Sequence, residues 1–303
     1  MGRRRILVLG GTGMLGSMVT EVLAEAPDLE VVATARTPQQ TEAAATRAPS
    51  AAWRTLELGA DEGAPDLGGF AWVVNCVGAI KPHIRDDDPA SVARAVRLNA
   101  LLPHRLADGA RAAGARLLQI ATDCVWSDSR GAYLESDPHD ALDVYGKTKS
   151  LGEVRAEGVH HLRCSVVGLE VGRRTSLLEW FLGQPRGASV PGYTDHRWNG
   201  VTALAFARVV AGIVRGEPAL PHLQHLVPAG AVTKAELLRL FARAFGREDV
   251  TIRPGPGPSP IDRTLATTDP ARSAALWRAA GEPAPPRIEE LVRALVRRAR
   301  GAA

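Results

Sequence analysis

Residues 6–16 read Ile6-Leu7-Val8-Leu9-Gly10-Gly11-Thr12-Gly13-Met14-Leu15-Gly16, and this stretch decides the fold. Four apolar residues make a short buried strand, and the glycines that follow turn the chain. Helical periodicity then runs over residues 14–26. Gly10, Gly13 and Gly16 stand three apart where strand meets helix. Glycines at such a junction allow a tight turn, close backbone approach to a pyrophosphate and close helix–strand packing. The opening of the helix adds N–H donors for an anion, so Gly10, Thr12, Gly13, Met14, Leu15 and Gly16 form a candidate phosphate cradle.

Outward from this turn, strand patterns recur at 30–35, 55–58, 72–76, 116–121 and 161–165, with helical patterns at 89–113 and 141–158. Strands alternating with helices imply right-handed β-α-β units and a parallel sheet, hence an α/β fold of doubly wound type. Beyond residue 166 the alternation fails. A helix at 201–215 and a strand at 223–227 are read as returning to the sheet, 253–260 as a Pro/Gly loop and 287–300 as an Arg-rich amphipathic helix. The expected division is a dinucleotide-binding domain over 1–166, joined again by 200–228. A smaller α/β domain over 167–199 and 229–303 is expected to bind substrate. The end of the second strand selects the dinucleotide: a carboxylate there favours NAD, an arginine accepts a 2′-phosphate. The chain has Thr34-Ala35-Arg36, which points to NADPH, with a solvated arginine as the competing reading.

Composition narrows the classes. With 303 residues and 45% hydrophobic content, one large domain or two modest ones are accommodated. No apolar stretch has the length of a membrane span. Arg3, Arg4 and Arg5 precede an apolar run, but its early end in glycines does not match a signal peptide. Cys76, Cys124 and Cys164 are odd in number and widely spaced, which argues for a reducing cytoplasm and against disulfides or a metal site. A net charge of +4, spread along the chain, does not suggest nucleic-acid binding.

The chemistry is sought in Tyr145-Gly146-Lys147-Thr148-Lys149, where a tyrosine and a lysine share one helix face at i and i+4. A nearby ammonium favours phenolate and is expected to bring the phenol toward its working range. An exposed helix pair is the competing reading. Ala121-Thr122-Asp123-Cys124-Val125 follows a strand, so Thr122 stands at a strand's C-terminal end, where ligands of open α/β sheets bind.

These motifs together resemble the extended short-chain dehydrogenase/reductase superfamily. The resemblance rests on the glycine turn, Asn75-Cys76-Val77-Gly78, Asn99 with Pro103, Thr122 and the Tyr145/Lys149 pair. Within it, the chain is similar to the dTDP-4-dehydrorhamnose reductases and related nucleotide-sugar reductases. Ile120-Ala-Thr-Asp-Cys-Val-Trp126 resembles that family's Ser-Thr-Asp-Tyr-Val-Phe. Gly131-Ala-Tyr-Leu-Glu-Ser-Asp137, Tyr145 through Glu153, Leu162-Arg-Cys-Ser-Val-Val167 and Ile261-Asp-Arg-Thr-Leu265 continue the likeness.

The resemblance implies a Rossmann-type doubly wound sheet and a cytoplasmic NADPH-dependent reduction of a keto group on a nucleotide-activated deoxysugar. It implies Tyr145 as proton donor, Lys149 as its partner on the nicotinamide ribose and Thr122 as the group orienting the carbonyl. Cys76, Val77, Gly78 and Asn99 would join the cofactor site, and Asp123 would touch the sugar. It admits a homodimer. An epimerase or dehydratase on the same scaffold, and a non-catalytic NADP-binding regulatory subunit, remain open.

The chain departs from the family where Cys124 and Val166 replace aromatic residues and where Asp195–Thr202 replaces a Gly-x-Pro-Thr stretch. Trp198, Asn199 and Arg197 are candidate substrate contacts, with core packing an equal reading for Trp198. Arg173 and Arg174, like Arg197, would suit a diphosphate. Tyr133 and Glu135 are expected to shape a loop, and His83 and His196 to be surface residues.

Overall fold

The computed structural model describes residues 2–59, 65–172 and 175–301. It contains β1 (Arg4–Leu9), α1 (Met14–Ala24), β2 (Leu29–Ala35), α2 (Pro38–Arg47), β3 (Ala52–Thr55) and β4 (Trp72–Asn75). There follow α3 (Pro89–Ala95), α4 (Leu102–Ala113), β5 (Arg116–Ala121), α5 (Val144–Leu151), β6 (Val159–Arg163) and β7 (Val166–Val167). Then come α6 (Leu177–Leu182), β8 (Ser189–Tyr193), β9 (His196–Trp198), β10 (Val201–Thr202), α7 (Ala203–Gly216), β11 (Leu223–His225) and β12 (Val232–Thr233). The chain ends with α8 (Lys234–Phe245), β13 (Thr251–Gly255), β14 (Ile261–Asp262), α9 (Pro270–Ala279) and α10 (Ile288–Gly301).

Seven strands form one sheet in the order β11-β6-β5-β4-β1-β2-β3, with parallel pairing from β3 through to β6. The order reverses between β1 and β4. That reversal opens a crevice beyond the strands' C-terminal ends, where ligands of open sheets bind. Leu7, Leu9, Val73 and Leu117 from the strands and Leu98, Leu102 and Leu106 from the helical segment between β4 and β5 form one buried cluster. Burying side chains of this size is worth roughly 1.5–3 kcal/mol each.

The chain divides into two units. The first comprises Met1–Trp126, His139–Arg163 and Glu217–Gln224; the second comprises Ser127–Pro138, Cys164–Gly216 and His225–Ala303. Thus only 217–224 of the 200–228 segment joins the first unit, and 127–138 belongs to the second. In the second unit α7 packs on α9 and α10, and β8 pairs in parallel with β13.

Several expected elements fall elsewhere. The third strand is Ala52–Thr55, registered on Val32–Ala35, while Leu56 and Leu58 lie beyond it and pack on the core. Their apolar signal mimics a strand. Residues 89–113 are helical throughout but contain a π-turn at Val96–Leu101. The 141–158 pattern shrinks to α5, because Asp143 caps its start by accepting from Gly146 N at 2.7 Å and Gly152 ends it. The sixth strand begins at Val159, two residues early. Part of the expected 253–260 loop is strand β13, and Pro254 is tolerated there because a two-stranded sheet has only edges.

Candidate active site

The glycine turn lies at the C-terminal end of β1, and its three glycines do different work. Gly10 has φ +76°, and a Cβ on it would lie 2.9 Å from Val77 Cγ2. Its N–H donates to Thr34 Oγ1 at 3.1 Å, while Gly11 N donates to Thr34 O at 2.8 Å, so β2 fixes the turn. A Cβ on Gly16 would lie 2.1 Å from Gly10 O, so α1 can approach β1 only without a side chain there. Gly13 is exposed, and a Cβ on it would meet only Gly10 O, at an ordinary 3.6 Å.

Packing therefore explains Gly10 and Gly16 but not Gly13, the N-cap of α1. No side chain caps that helix start and no acidic residue lies in its first turn. Bare N–H donors beside an unhindered glycine fit a pyrophosphate. The Leu15 side chain is buried, so Leu15 can offer such an anion only backbone. Arg36 is exposed immediately after β2.

The turn after β4 is held by amides. Asn75 Oδ1 accepts from Val77 N at 3.0 Å, and Asn75 Nδ2 donates to Gln119 Oε1 at 3.0 Å. Gln119 Nε2 in turn donates to Gly152 O at 2.9 Å, which ties β4, β5 and the end of α5 together. Asn99 is buried in the π-turn; its Oδ1 accepts from Ala79 N at 2.8 Å. Its Nδ2 donates to Ala79 O at 3.0 Å and to Thr148 Oγ1 at 3.2 Å. The Asn99 amide thus holds Ala79, at the end of the turn that carries Cys76, Val77 and Gly78, against α5. Gln119 was not singled out from sequence, since a glutamine inside a strand pattern carries no motif.

Thr122, Asp123, Cys124, Tyr145 and Lys149 all lie in the first unit. Thr122 follows β5; its Oγ1 accepts from Cys124 N and donates to Asp123 Oδ1, each at 3.2 Å. The Thr122 hydroxyl is near enough to the Tyr145 phenol to act on its acidity. Lys149 Nζ donates to Ile120 O at 3.1 Å, which anchors the ammonium beside the end of β5. Asp123 is 3% exposed, and its Oδ2 has no hydrogen-bond partner among the described residues.

Electrostatics correct one expectation. The Tyr145 phenol is not drawn down toward its working range. Burial, followed by Cys124, raises its pKa, and the Thr122 hydroxyl opposes this. Burial lowers Lys149 to about 8, with Glu153 opposing. At neutral pH the site therefore holds a protonated phenol next to an ammonium, the state required of a proton donor. Burial pushes the Cys76 thiol up to about 12, so it stays neutral.

The other candidates lie in the second unit or outside the described residues. Asn199 is buried; its Nδ2 donates to Leu265 O at 2.7 Å and its Oδ1 accepts from Leu265 N at 2.8 Å. Both ends of its amide thus clasp the backbone of Leu265. Arg197 is exposed with Nε 3.6 Å from Asp262 Oδ2, and Trp198 is partly buried against Gly200. Arg173 and Arg174 lie outside the described residues. Tyr133 is buried, with its Oη accepting from Ser129 N and Arg130 N at 3.1 Å. Glu135 accepts four hydrogen bonds from His225, Thr267 and Thr268. His83 is exposed, and His196 Nε2 lies 3.0 Å from Ser259 O.

A glycine turn and a Thr–Tyr–Lys group at the C-terminal ends of a seven-stranded sheet place the chain among proteins of Rossmann-type α/β fold. Residues 4–275 match the family model described as RmlD substrate binding domain, and the chain belongs to that family.

Over 153 residues the chain is 35% identical to a dTDP-4-dehydrorhamnose reductase of Streptomyces griseus, covering 50% of this chain and 44% of that protein. Over 81 residues it is 35% identical to methionine adenosyltransferase 2 subunit beta of Bos taurus, covering 27% of this chain and 23% of that protein. The matches thus span less than half the length of these curated relatives.

Among solved structures, a dTDP-4-dehydrorhamnose reductase of Clostridium acetobutylicum superposes with TM-score 0.70 at 18% identity, covering 98% of this chain and 99% of that one. One from Bacillus anthracis in complex with NADP gives 0.69 at 14%, with coverage of 98% and 99%. A UDP-glucuronic acid 4-epimerase of Bacillus cereus in complex with NAD gives 0.73 at 12%, with coverage of 97% and 99%. At such identities the likeness is one of fold.

Proposed function

We propose that the protein is an NADPH-dependent reductase of a keto group, at C4, on a nucleotide-activated deoxysugar. The observation that carries this reading is the gathering of the Thr122 hydroxyl, the Tyr145 phenol and the Lys149 ammonium at the C-terminal end of β5, on the same side of the sheet as the glycine turn. Gly13 and the bare start of α1 would hold the pyrophosphate, Arg36 the 2′-phosphate and Lys149 the ribose. When bound, the reduced nicotinamide supplies the hydride. Thr122 Oγ1 orients the ketone oxygen, and Tyr145 Oη gives its proton to that oxygen as the carbon becomes CH–OH. Lys149 stabilises the phenolate left behind. Asp123 Oδ2, a buried acceptor without a partner, takes a sugar hydroxyl.

In this reading the first unit holds the cofactor and the second supplies substrate recognition, including Arg197 and Trp198. Three free cysteines support a cytoplasmic setting. No described helix is long and apolar enough to cross a membrane. A homodimer belongs to the same reading and is checked by light scattering.

The test is to mix the protein with NADPH and a panel of dTDP- and UDP-4-keto sugars. Consumption of NADPH that disappears in Tyr145→Phe supports the reading; no consumption with any ketone sinks it. A preference for NADH would overturn the role of Arg36.

Two other readings have an observation each. The 81-residue match to a methionine adenosyltransferase regulatory subunit favours a non-catalytic subunit, which would bind NADPH and reduce nothing. The superposed epimerase, with Asp123 beside Thr122, favours an epimerase or dehydratase, which would convert nucleotide sugars with tightly held NAD.

A further inference from the structure

Several arginines of the second unit are held by carboxylates. Arg247 pairs with Asp249 at 2.9 Å, Arg263 with Asp128 at 2.6 Å, Arg272 with Asp269 at 3.0 Å and Arg293 with Glu289 at 2.6 Å. Arg239, Arg243 and Arg287 differ: none of them has an ion pair or a side-chain hydrogen bond among the described residues. Yet all three line one cleft of about 570 Å³, formed by α8, the 229–232 segment and the start of α10. Leu240 and Ile288, both buried, give that cleft an apolar floor.

The backbone around the cleft is fixed. Ala229 N donates to Pro286 O at 2.9 Å, which ties the 229–232 segment to the residue before Arg287. Arg287 N donates to Glu290 Oε2 at 2.7 Å, which fastens it to the first turn of α10. Arg239 and Arg243 stand four residues apart in α8, on one helix face. The start of α8 is anchored by a capping box, in which Glu236 Oε2 accepts from Thr233 N at 2.7 Å and Thr233 Oγ1 accepts from Glu236 N at 3.2 Å.

Two carboxylates border the same cleft, and both are engaged: Glu236 in the capping box and Glu289 with Arg293. The three guanidiniums therefore face one another without a counter-charge of their own, and like charges at i and i+4 repel. A guanidinium only donates, and the apolar side chains below offer no acceptor. Its planar fork of N–H groups matches phosphoryl and carboxylate oxygens two at a time. Two forks rooted about 5–6 Å apart, with a third from another segment, suit more oxygens than one carboxylate supplies.

We propose that Arg239, Arg243 and Arg287 form a binding site in the second unit for a small molecule bearing a diphosphate. Arg197 and Trp198 are not among the residues lining this cleft, so the site is additional to those candidate substrate contacts. It requires neither the reductase reading nor its cofactor.

The test is titration calorimetry of the full chain, with inorganic pyrophosphate and uridine diphosphate as separate titrants. About 0.15 M NaCl is present, which screens diffuse attraction between exposed charges. The native protein should bind saturably. Tighter binding of the nucleotide assigns the site to a nucleoside diphosphate, and tighter binding of pyrophosphate assigns it to the free anion. Arg239→Gln, Arg243→Gln and Arg287→Gln should each weaken binding about tenfold, since each removes a charge-assisted pair. Arg243→Lys should lose less than Arg243→Gln, because it keeps the charge and gives up only the fork. Arg278→Gln, at an exposed position of α9 outside the cleft, should bind as the native protein does. A ligand held at the glycine turn responds to none of these changes, so the difference between proteins reports the cleft. Thermal melts of the variants should match the native one, since these side chains have no partner to lose. Absence of saturable binding overturns the proposal. So do glutamine variants at the three cleft positions that bind no more weakly than Arg278→Gln.

Discussion

In the first unit, Asp123 Oδ2 is buried without a partner beside a hydroxyl, a phenol and an ammonium, whereas in the second unit Asn199 and Glu135 bond fully to neighbouring backbone and hydroxyls. Both regions bury polar groups, and each such group costs about 1–3 kcal/mol if left unsatisfied. The second unit avoids that cost by closing each of these groups on the protein itself. In the first, Asp123 Oδ2 is left open at the end of β5. A ligand can complete such a buried acceptor, which supports the site proposed at Thr122–Lys149, whereas Asn199 and Glu135 already have protein partners.

The largest effect that would break this contrast is on turnover. Tyr145→Phe should lower kcat for ketone reduction by about 10²- to 10⁴-fold with Tm unchanged, since it removes the proton donor and leaves the ring. Activity retained in the phenylalanine variant would return Tyr145 to ordinary packing. Next come the glycines. Gly16→Ala places a methyl 2.1 Å from a backbone oxygen, so it should destabilise the fold strongly in thermal melts. Gly13→Ala meets only an ordinary contact, so it should keep the native Tm and weaken NADPH binding in titration calorimetry. Equal loss of Tm in both would remove the argument for a cofactor cradle at Gly13. Asn199→Ala should then cost about 1–3 kcal/mol in denaturant unfolding, with kcat preserved, because it strands the Leu265 N–H and C=O. A selective rise in KM for the sugar would show Asn199 to be a substrate contact after all.

The same contrast explains what was legible beforehand. Gly10–Gly16, Thr122 and Tyr145–Lys149 are local patterns: their meaning lies in spacing along one turn, strand end or helix face, which a linear reading captures. The clasp of Asn199 on Leu265 joins residues 66 apart, and the amide link from Asn75 to Gln119 joins residues 44 apart. No spacing rule brings such pairs together. An asparagine at a strand end looks the same whether it faces a ligand or a carbonyl. The second unit was hardest to read because its strands are two to five residues long, too short for period-two alternation to register. The tuning of Tyr145 was misjudged for a different reason. The i+4 spacing shows that Lys149 is near, but burial, which spacing does not reveal, sets the sign.

The smallest effect concerns Glu135 and acid. Burial alone would raise its pKa, but His225 and the bonds from Thr267 and Thr268 outweigh that and hold it near 2. An unfolded glutamate titrates near 4.3. A carboxyl depressed on folding contributes stability that is fully present above its unfolded pKa and is lost as pH falls through its folded one. The stability difference between the native protein and Glu135→Gln should therefore be largest at neutral pH and narrow from about pH 5 down toward pH 2, as read by urea unfolding at each pH. Other depressed carboxylates, such as Asp249, steepen the acid loss of both proteins alike, so only the difference reports Glu135. If that difference stays constant across the window, the four bonds to Glu135 act as neutral hydrogen bonds would. Its carboxylate is then a spacer in the 127–138 segment, and the closed polar groups of the second unit owe nothing to charge.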